Sequence, residues 1–276
     1  MSSTSGRPLG MAKPAIDPRL NARRVEVLRS RGRRRLRVMG SLGGVAALAV
    51  AAWGLIQSPL LDIDHVRVQP LVEASPNLHV EARTIEQASG LHRGDPLFNR
   101  DLAAVRRRVL DVPWVAEVEV TREWPGTVAI RVGERVPLVV VPRAGRGWML
   151  VDREGRALDA VPDVPAGIVP VEGVKPVEAP GRMLGPDGRG ALALVGAIPA
   201  TLRPQVTRIV LAADGSLVAF LRLVDGEDEV EVRFGPPVDL KVKALDLATL
   251  LAGVETRGVA VLDVRVPGTP VVIRRP

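Results

Sequence analysis

Between Ile63 and Val132 the spacing of apolar positions changes from a period of two to a period near 3.6 and back again. Ile63 to Val68 alternates and predicts a strand. In EARTIEQASG, Ala82, Ile85 and Ala88 share one helical face, and Gly90 stops the helix. The loop HRGDPLF follows. Asn99 is the expected N-cap of a second helix, with Asp101 in its first turn and Leu102, Val105, Val109 and Leu110 as its apolar stripe. Pro113 closes that helix. VAEVEV (Val115 to Val120) then places Ala116, Val118 and Val120 on one face and Glu117 and Glu119 on the other. TVAIRV aligns Val128, Ile130 and Val132, and Pro125-Gly126 joins the two strands as a hairpin. The order strand, helix, helix, strand, strand predicts a three-stranded sheet with both helices on one face, a two-layer module of about 75 residues.

WPGTVAIRVGERVPL (Trp124 to Leu138) ends this module. Trp124 reads as core or hairpin packing, with a partner-facing aromatic as the alternative. Glu134 to Pro137 mark the seam to the rest of the chain, and Glu134 and Arg135 are either an interdomain charge pair or a solvated seam. Residues 137–276 read as a mostly antiparallel, sheet-rich domain with one helix near its C-terminus, so the fold class is α+β. Hairpins are expected over Trp148 to Leu158 and over Val206 to Leu223, the latter turning at Asp214-Gly215. EVEVRFG points Val230, Val232 and Phe234 inward. The segment after Pro236-Pro237 carries Leu240, Ala244, Leu247 and Leu251 on one helical stripe and stops at Gly253. Val259 to Val266 and Thr269 to Arg275 are the final strands. The Pro/Gly-rich stretch Pro162 to Pro186 is expected to be a loop-laden edge.

Charge changes the picture at the N-terminus. The total is +7. Residues 1–37 hold eleven Arg and Lys against Asp17 and Glu26, a net +9, so everything after them nets −2. Arg29 to Arg37 abuts Val38 to Ile56, and no charged residue occurs between Arg37 and Asp62. Nineteen uncharged residues make roughly 28 Å of helix, close to the thickness of a bilayer core. The run is too long and too far from Met1 for a simple signal peptide, and no clear cleavage site follows it. The reading is an uncleaved signal anchor over residues 38–57, with Trp53 at its outer end. The basic tail 1–37 is then cytoplasmic and the bulk of the chain extracytoplasmic. Gly40 and Gly44 form a Gly-x-x-x-Gly, a candidate helix-packing face.

Chemistry is sparse. There is no Cys, hence no disulfide framework and no thiolate site. His65, His79 and His92 stand singly in separate elements, which does not make a metal site. DGEDE (Asp225 to Glu229) lacks calcium-loop spacing and reads as a solvated hairpin tip. No Ser-x-x-Lys, Gly-x-Ser-x-Gly or phosphate loop occurs. Asp152 and Glu154 flank a turn and are expected to face water. No catalytic, metal or cofactor residue is assigned.

The terminal strand is the remaining candidate site. Val271 and Ile273 are expected on one side, with Val272 and Arg274 on the other, and Pro270 lacks an N–H. An edge strand offers unpaired N–H and C=O groups to a further chain. The candidate surface is residues 271–275 with the helix around Lys241 and Leu251.

The β-α-α-β-β module directly after a signal anchor resembles a POTRA domain. In detail it resembles the FtsQ/DivIB family of bacterial division proteins. The shared features are Gly90 and Gly94 in GLHRG, Pro113-Trp114-Val115, Arg122 with Trp124-Pro125, and Glu134-Arg135-Val136-Pro137. Farther on, Gly235, Lys241/Lys243 and Leu262-Asp263-Val264-Arg265 match the family's ending. The resemblance implies a POTRA domain over 58–136 and a β-domain over 137–276. It also implies a bitopic, non-enzymatic scaffold of the division septum that binds FtsB/DivIC-like and FtsL-like coiled-coil partners and helps control septal peptidoglycan synthesis. Two rival readings are a POTRA protein assisting polypeptide export and an anchored cell-wall hydrolase; the second requires two carboxylates about 5–9 Å apart in a cleft.

Overall fold

A computed structural model describes residues 39–50, 53–54, 62–72, 78–223, 229–255 and 257–275. The chain divides into two units, Met1–Leu61 and Asp62–Pro276. In the first unit, 39–50 and 53–54 are helical and exposed. Among the described residues no helix is long and apolar enough to cross a membrane. The basic tail 1–37 and part of the expected span, Val38 and residues 51–52 and 55–57, lie outside the described residues.

The second unit begins with β1 (His65–Pro70), α1 (Ala82–Ser89), α2 (Leu102–Leu110), β2 (Val115–Glu123) and β3 (Thr127–Glu134). The sheet order is β1-β3-β2, with β1 parallel and β2 antiparallel to β3. The central strand buries Val128, Ile130 and Val132 against Ile85 of α1 and Val105 and Val109 of α2. Each such side chain contributes about 1.5–3 kcal/mol on leaving water. β1 starts two residues later than the alternation suggests. Ile63 is buried nonetheless, its N–H donating to the Asp95 carbonyl at 2.8 Å.

Three local expectations fail here for identifiable reasons. The inner face of α1 is Ile85 and Ser89, while Ala82 is exposed and Ala88 half-buried. Buried Ser89 is satisfied locally: its Oγ donates to the Glu86 carbonyl at 2.6 Å and accepts from Leu91 N–H at 3.2 Å. Asp101, not Asn99, caps α2, accepting from the N–H groups of Ala103 and Ala104 at 2.9 and 3.1 Å. A carboxylate also suits the positive end of the helix dipole. In β2, Val115 opposes Glu134 and Glu117 opposes Gly133, so Ala116 is the extra residue of a β-bulge. The bulge resets the alternation, and Val115 and Val118 are both buried.

The remaining strands form one nine-stranded sheet, ordered β12-β11-β10-β9-β8-β7-β4-β5-β6. They are β4 (Pro137–Pro142), β5 (Trp148–Asp152), β6 (Ala157–Val161), β7 (Val169–Glu172), β8 (Val206–Leu211), β9 (Leu217–Arg222), β10 (Glu229–Gly235), β11 (Val259–Asp263) and β12 (Val271–Arg274). The expected hairpins are β5–β6 and β8–β9. The pairs β4–β7, β7–β8 and β10–β11 run parallel and the other five antiparallel.

Two parallel pairs are bridged by helices, α3 (Pro186–Ala197) between β7 and β8 and α4 (Leu240–Gly253) between β10 and β11. A parallel neighbour requires such a crossover. Both helices contribute to one core with Val139, Val171, Ile209, Ala219 and Phe234. The stretch expected to be a loop-laden edge therefore contains β7, in the interior of the sheet. Its run VPVE is too short to alternate visibly, yet Val169 and Val171 are buried. The acidic segment 225–228 lies outside the described residues.

Candidate functional site

Two regions concentrate unusual side chains: the seam between the sheets and the edge strand β12. At the seam only Arg135 and Val136 separate β3 from β4. Arg135 N–H donates to the Trp114 carbonyl at 2.8 Å, and its Nε donates to the Val115 carbonyl at 3.1 Å. Its Nη1 donates to Asp152 Oδ2 at 2.7 Å and also to Glu154. Asp152 is 2% exposed. The expectation that Asp152 faces water fails because this guanidinium, with the N–H groups of Glu154 and Arg156 at 2.9 and 2.8 Å, replaces its hydration. Burial works against the Arg135 charge, but the bonds from Asp152 and Glu154 outweigh it and raise the guanidinium pKa above its usual value.

Glu134 does something different. Its carboxylate accepts from His79 N–H at 2.9 Å and Val80 N–H at 2.8 Å, fixing the chain just before α1. Of the two seam residues, Arg135 joins the two sheets and Glu134 closes the smaller one on itself. Trp114 packs against the core of the first sheet and also against the small cluster of Val140, Leu150 and Leu158 on the second. Its ring lies 4.1 Å from that of His79.

The other residues singled out from the sequence are placed as follows. Gly90 is the left-handed C-cap of α1, at φ 64°, and the Arg108 guanidinium packs where a Cβ would sit. Gly94 N–H donates to the Ile63 carbonyl at 2.9 Å. Arg122 reaches from β2 to the Leu97 and Arg100 carbonyls, tying the hairpin to the loop before α2. Trp124 is 55% exposed, so of the two packing readings the core is excluded and a place at the hairpin turn remains, while Gly126 beside it packs close to Asp64 and Asp62. The Trp124–Pro125 peptide is cis. Pro137 opens β4.

β12 pairs with β11 on one side and forms the end of the sheet order. Val271 and Ile273 are 50% and 44% exposed, while Val272 packs against the core. Arg274 donates to the carbonyls of Arg257 and Glu255 at 2.7 and 3.0 Å. In α4, Lys241 is exposed, Leu251 is half-buried, and Val242 and Leu245 are exposed apolar residues beside them. The periodicity did not anticipate Lys243. It is 3% exposed, and its Nζ donates to the Phe234 and Pro236 carbonyls at 2.9 and 3.1 Å, anchoring the turn into α4. Nearby, the Asp263 carboxylate grips Arg265 through Nε at 2.9 Å and Nη2 at 2.6 Å, which holds its pKa below the usual carboxylate range despite partial burial.

An open groove of ≈ 800 Å³ runs along α3 beside β4, lined by Leu138, Glu154, Arg189, Leu192, Arg203 and Lys241 among others. Its one carboxylate, Glu154, is held by Arg135. Among the described residues no group of three His, Cys, Asp or Glu converges on a metal position.

Comparison with known proteins agrees with this architecture. Residues 72–135 match the family model described as "POTRA domain, FtsQ-type". A "Cell division protein FtsQ" from Streptomyces griseus is 32% identical over 191 residues, covering 68% of this chain and 88% of the relative. The protein of the same name from Streptomyces collinus is 30% identical over 248 residues, covering 87% and 89%. That from Corynebacterium glutamicum is 28% identical over 208 residues, covering 75% and 85%. Among solved structures, the major extracytoplasmic domain of the division protein DivIB from Geobacillus stearothermophilus covers 44% of this chain and 98% of its own, at 16% identity and a TM-score of 0.28, and adds nothing to these relationships. With a POTRA module followed by a sheet-rich domain, and with relatives matched over most of their length, the chain belongs to the FtsQ family of cell division proteins.

Proposed function

We propose that the chain is a non-enzymatic, single-pass membrane scaffold of the division machinery. In this reading residues 1–37 are a basic cytoplasmic tail, 38–57 the anchor, 58–136 the POTRA domain and 137–276 the extracytoplasmic β-domain. It acts at the division septum by holding FtsB/DivIC-like and FtsL-like partners, and through them it helps control septal peptidoglycan synthesis. Family membership supports the division role, and the charge pattern around Val38 to Ile56 supports the topology.

The observation that carries the binding mode is the outer edge of β12. Among the described residues no strand lies beyond it in the sheet, and Val271 and Ile273 are half-exposed beside it. A partner segment adding a strand there would gain backbone hydrogen bonds and cover these side chains. The helix α4 around Lys241 and Leu251 assists the docking in this proposal: Leu251 packs on the same core as Val272, while Lys241 lines the groove beside β4. Arg274 serves by holding the turn before β11, and Val272 by fixing β12 to the core.

Two variants test this. Val271→Glu with Ile273→Glu changes only exposed positions, and Val272→Pro distorts the strand itself. Both are expected to reduce co-purification of an FtsB-type partner at least about tenfold, a loss of roughly 1.4 kcal/mol. Undiminished capture by a folded double variant would remove the β12 edge from the mechanism.

A further inference from the structure

The chain has three Phe, four Trp and no Tyr, so the position of each aromatic is informative. Among the described residues of 62–275 only Phe98 and Trp124 of these aromatics are largely exposed, at 59% and 55%. They lie at one end of the first module. Arg122, two residues before Trp124, donates to the carbonyls of Leu97 and Arg100 on either side of Phe98. The start of the module is bound to the same two segments. Ile63 N–H donates to the Asp95 carbonyl at 2.8 Å, Asp62 bridges Pro96, and Asp64 N–H donates to the Gly126 carbonyl at 2.7 Å. The hairpin tip, the loop before α2 and the point where the chain enters the module therefore form one pole. The seam, with Glu134 and Arg135 at the far end of β3, is the opposite pole.

Only five residues, 57–61, separate Ile56 from Asp62. Fully extended, that connection reaches roughly 20 Å. We infer that this pole rests on the outer surface of the bilayer, with Phe98 and Trp124 seated in the lipid headgroup region. The inference rests on the proposed anchor, which brings the pole within reach of the membrane. Aromatic side chains favour that interface, where an apolar ring is covered while polar neighbours stay wet. The charges at the pole nearly balance. Asp62, Asp64, Asp95 and Asp101 lie in the same segments as Arg93, Arg100 and Arg122, with Asp95 paired to Arg100 and Arg122 occupied by carbonyls. The contact is made by the rings and is indifferent to lipid charge.

The absence of cysteine makes the test direct. Single substitutions Leu48→Cys, Phe98→Cys, Trp124→Cys and Ala213→Cys are made in the full chain, labelled with an environment-sensitive fluorophore and reconstituted into phosphatidylcholine vesicles. Leu48 reports on the anchor and Ala213, in the exposed β8–β9 turn, on the far domain. The expected result is blue-shifted emission at 48, 98 and 124. Nitroxide on the headgroups should quench 98 and 124 strongly and leave 213 unaffected. Adding phosphatidylglycerol should change nothing. A lipid-buried probe at 48 with 98 and 124 behaving like 213 would overturn the inference and leave the anchor standing. A probe at 48 that stays in water would remove the anchor and the inference together. Blue shifts at 98 and 124 without headgroup quenching would assign the pole to a protein neighbour and overturn it as well. A label that unfolds the domain is bypassed by comparing bromolipid quenching of the parent with that of Trp124→Phe, where the difference isolates the indole.

Discussion

Arg135 donates to Asp152, to Glu154 and to the carbonyl of Val115, so one side chain serves both sheets. Replacing it with Ala leaves Asp152 buried with only two backbone donors. The expected loss is about 1–3 kcal/mol, the cost of an under-satisfied buried acceptor. Urea unfolding of Arg135→Ala against the parent measures it, and an unchanged midpoint would show that the seam gains nothing from the pair. Arg135→Lys keeps the charge but lacks the forked geometry, and it should recover only part of the loss. The sequence singled out Arg135 through its neighbours but left its role open between an ion pair and a solvated seam. Its partner Asp152 lies 17 residues away, at the end of β5. Local pattern cannot see such a pairing, which is why Asp152 reads as a turn residue.

At the level of elements, legibility followed period and length. The first module's five elements are plain because each strand alternates and each helix has a stripe. β10 likewise declares itself through Val230, Val232 and Phe234. α3 does not. Its sequence PDGRGALALVGA contains three glycines and no polar face, since Leu192, Leu194 and Val195 are buried on several sides. β7 is hidden for the opposite reason: four residues are too few to show a period. What fixes its position is a contact rather than a pattern. Gly173, just after β7, has φ 78°, and a Cβ there would meet the Leu211 carbonyl oxygen at 2.1 Å. Gly173→Ala must displace backbone of β8 as well as adopt an unfavourable conformation, and about 1–3 kcal/mol should be lost. Gly215→Ala, at φ 82° with open space around it, carries only the conformational cost and should be the milder change. Thermal unfolding of the two variants side by side tests the difference, and equal shifts would count against the close approach.

For the whole molecule, acid stability should depend on carboxylates held by guanidinium groups. Burial alone would raise the Asp95 pKa, but the His92 N–H and Arg100 lower it. Arg265 lowers that of Asp263. Each folded-state pKa is below its unfolded value, so its stabilisation is complete above the usual carboxylate range and disappears as pH falls through the depressed value. Asp263→Asn should lower stability at neutral pH and flatten the stability curve below about pH 4. A curve parallel to the parent's across that range would refute the assignment. The two-residue junction between β3 and β4 has a mechanical consequence too. Tension applied at β12 passes through hydrogen-bonded strands to β4, across Arg135 and Val136, and down β3 to its parallel neighbour β1. Among the described residues no slack segment interrupts that path, so a pull on β12 arrives at β1 as load on strand pairs.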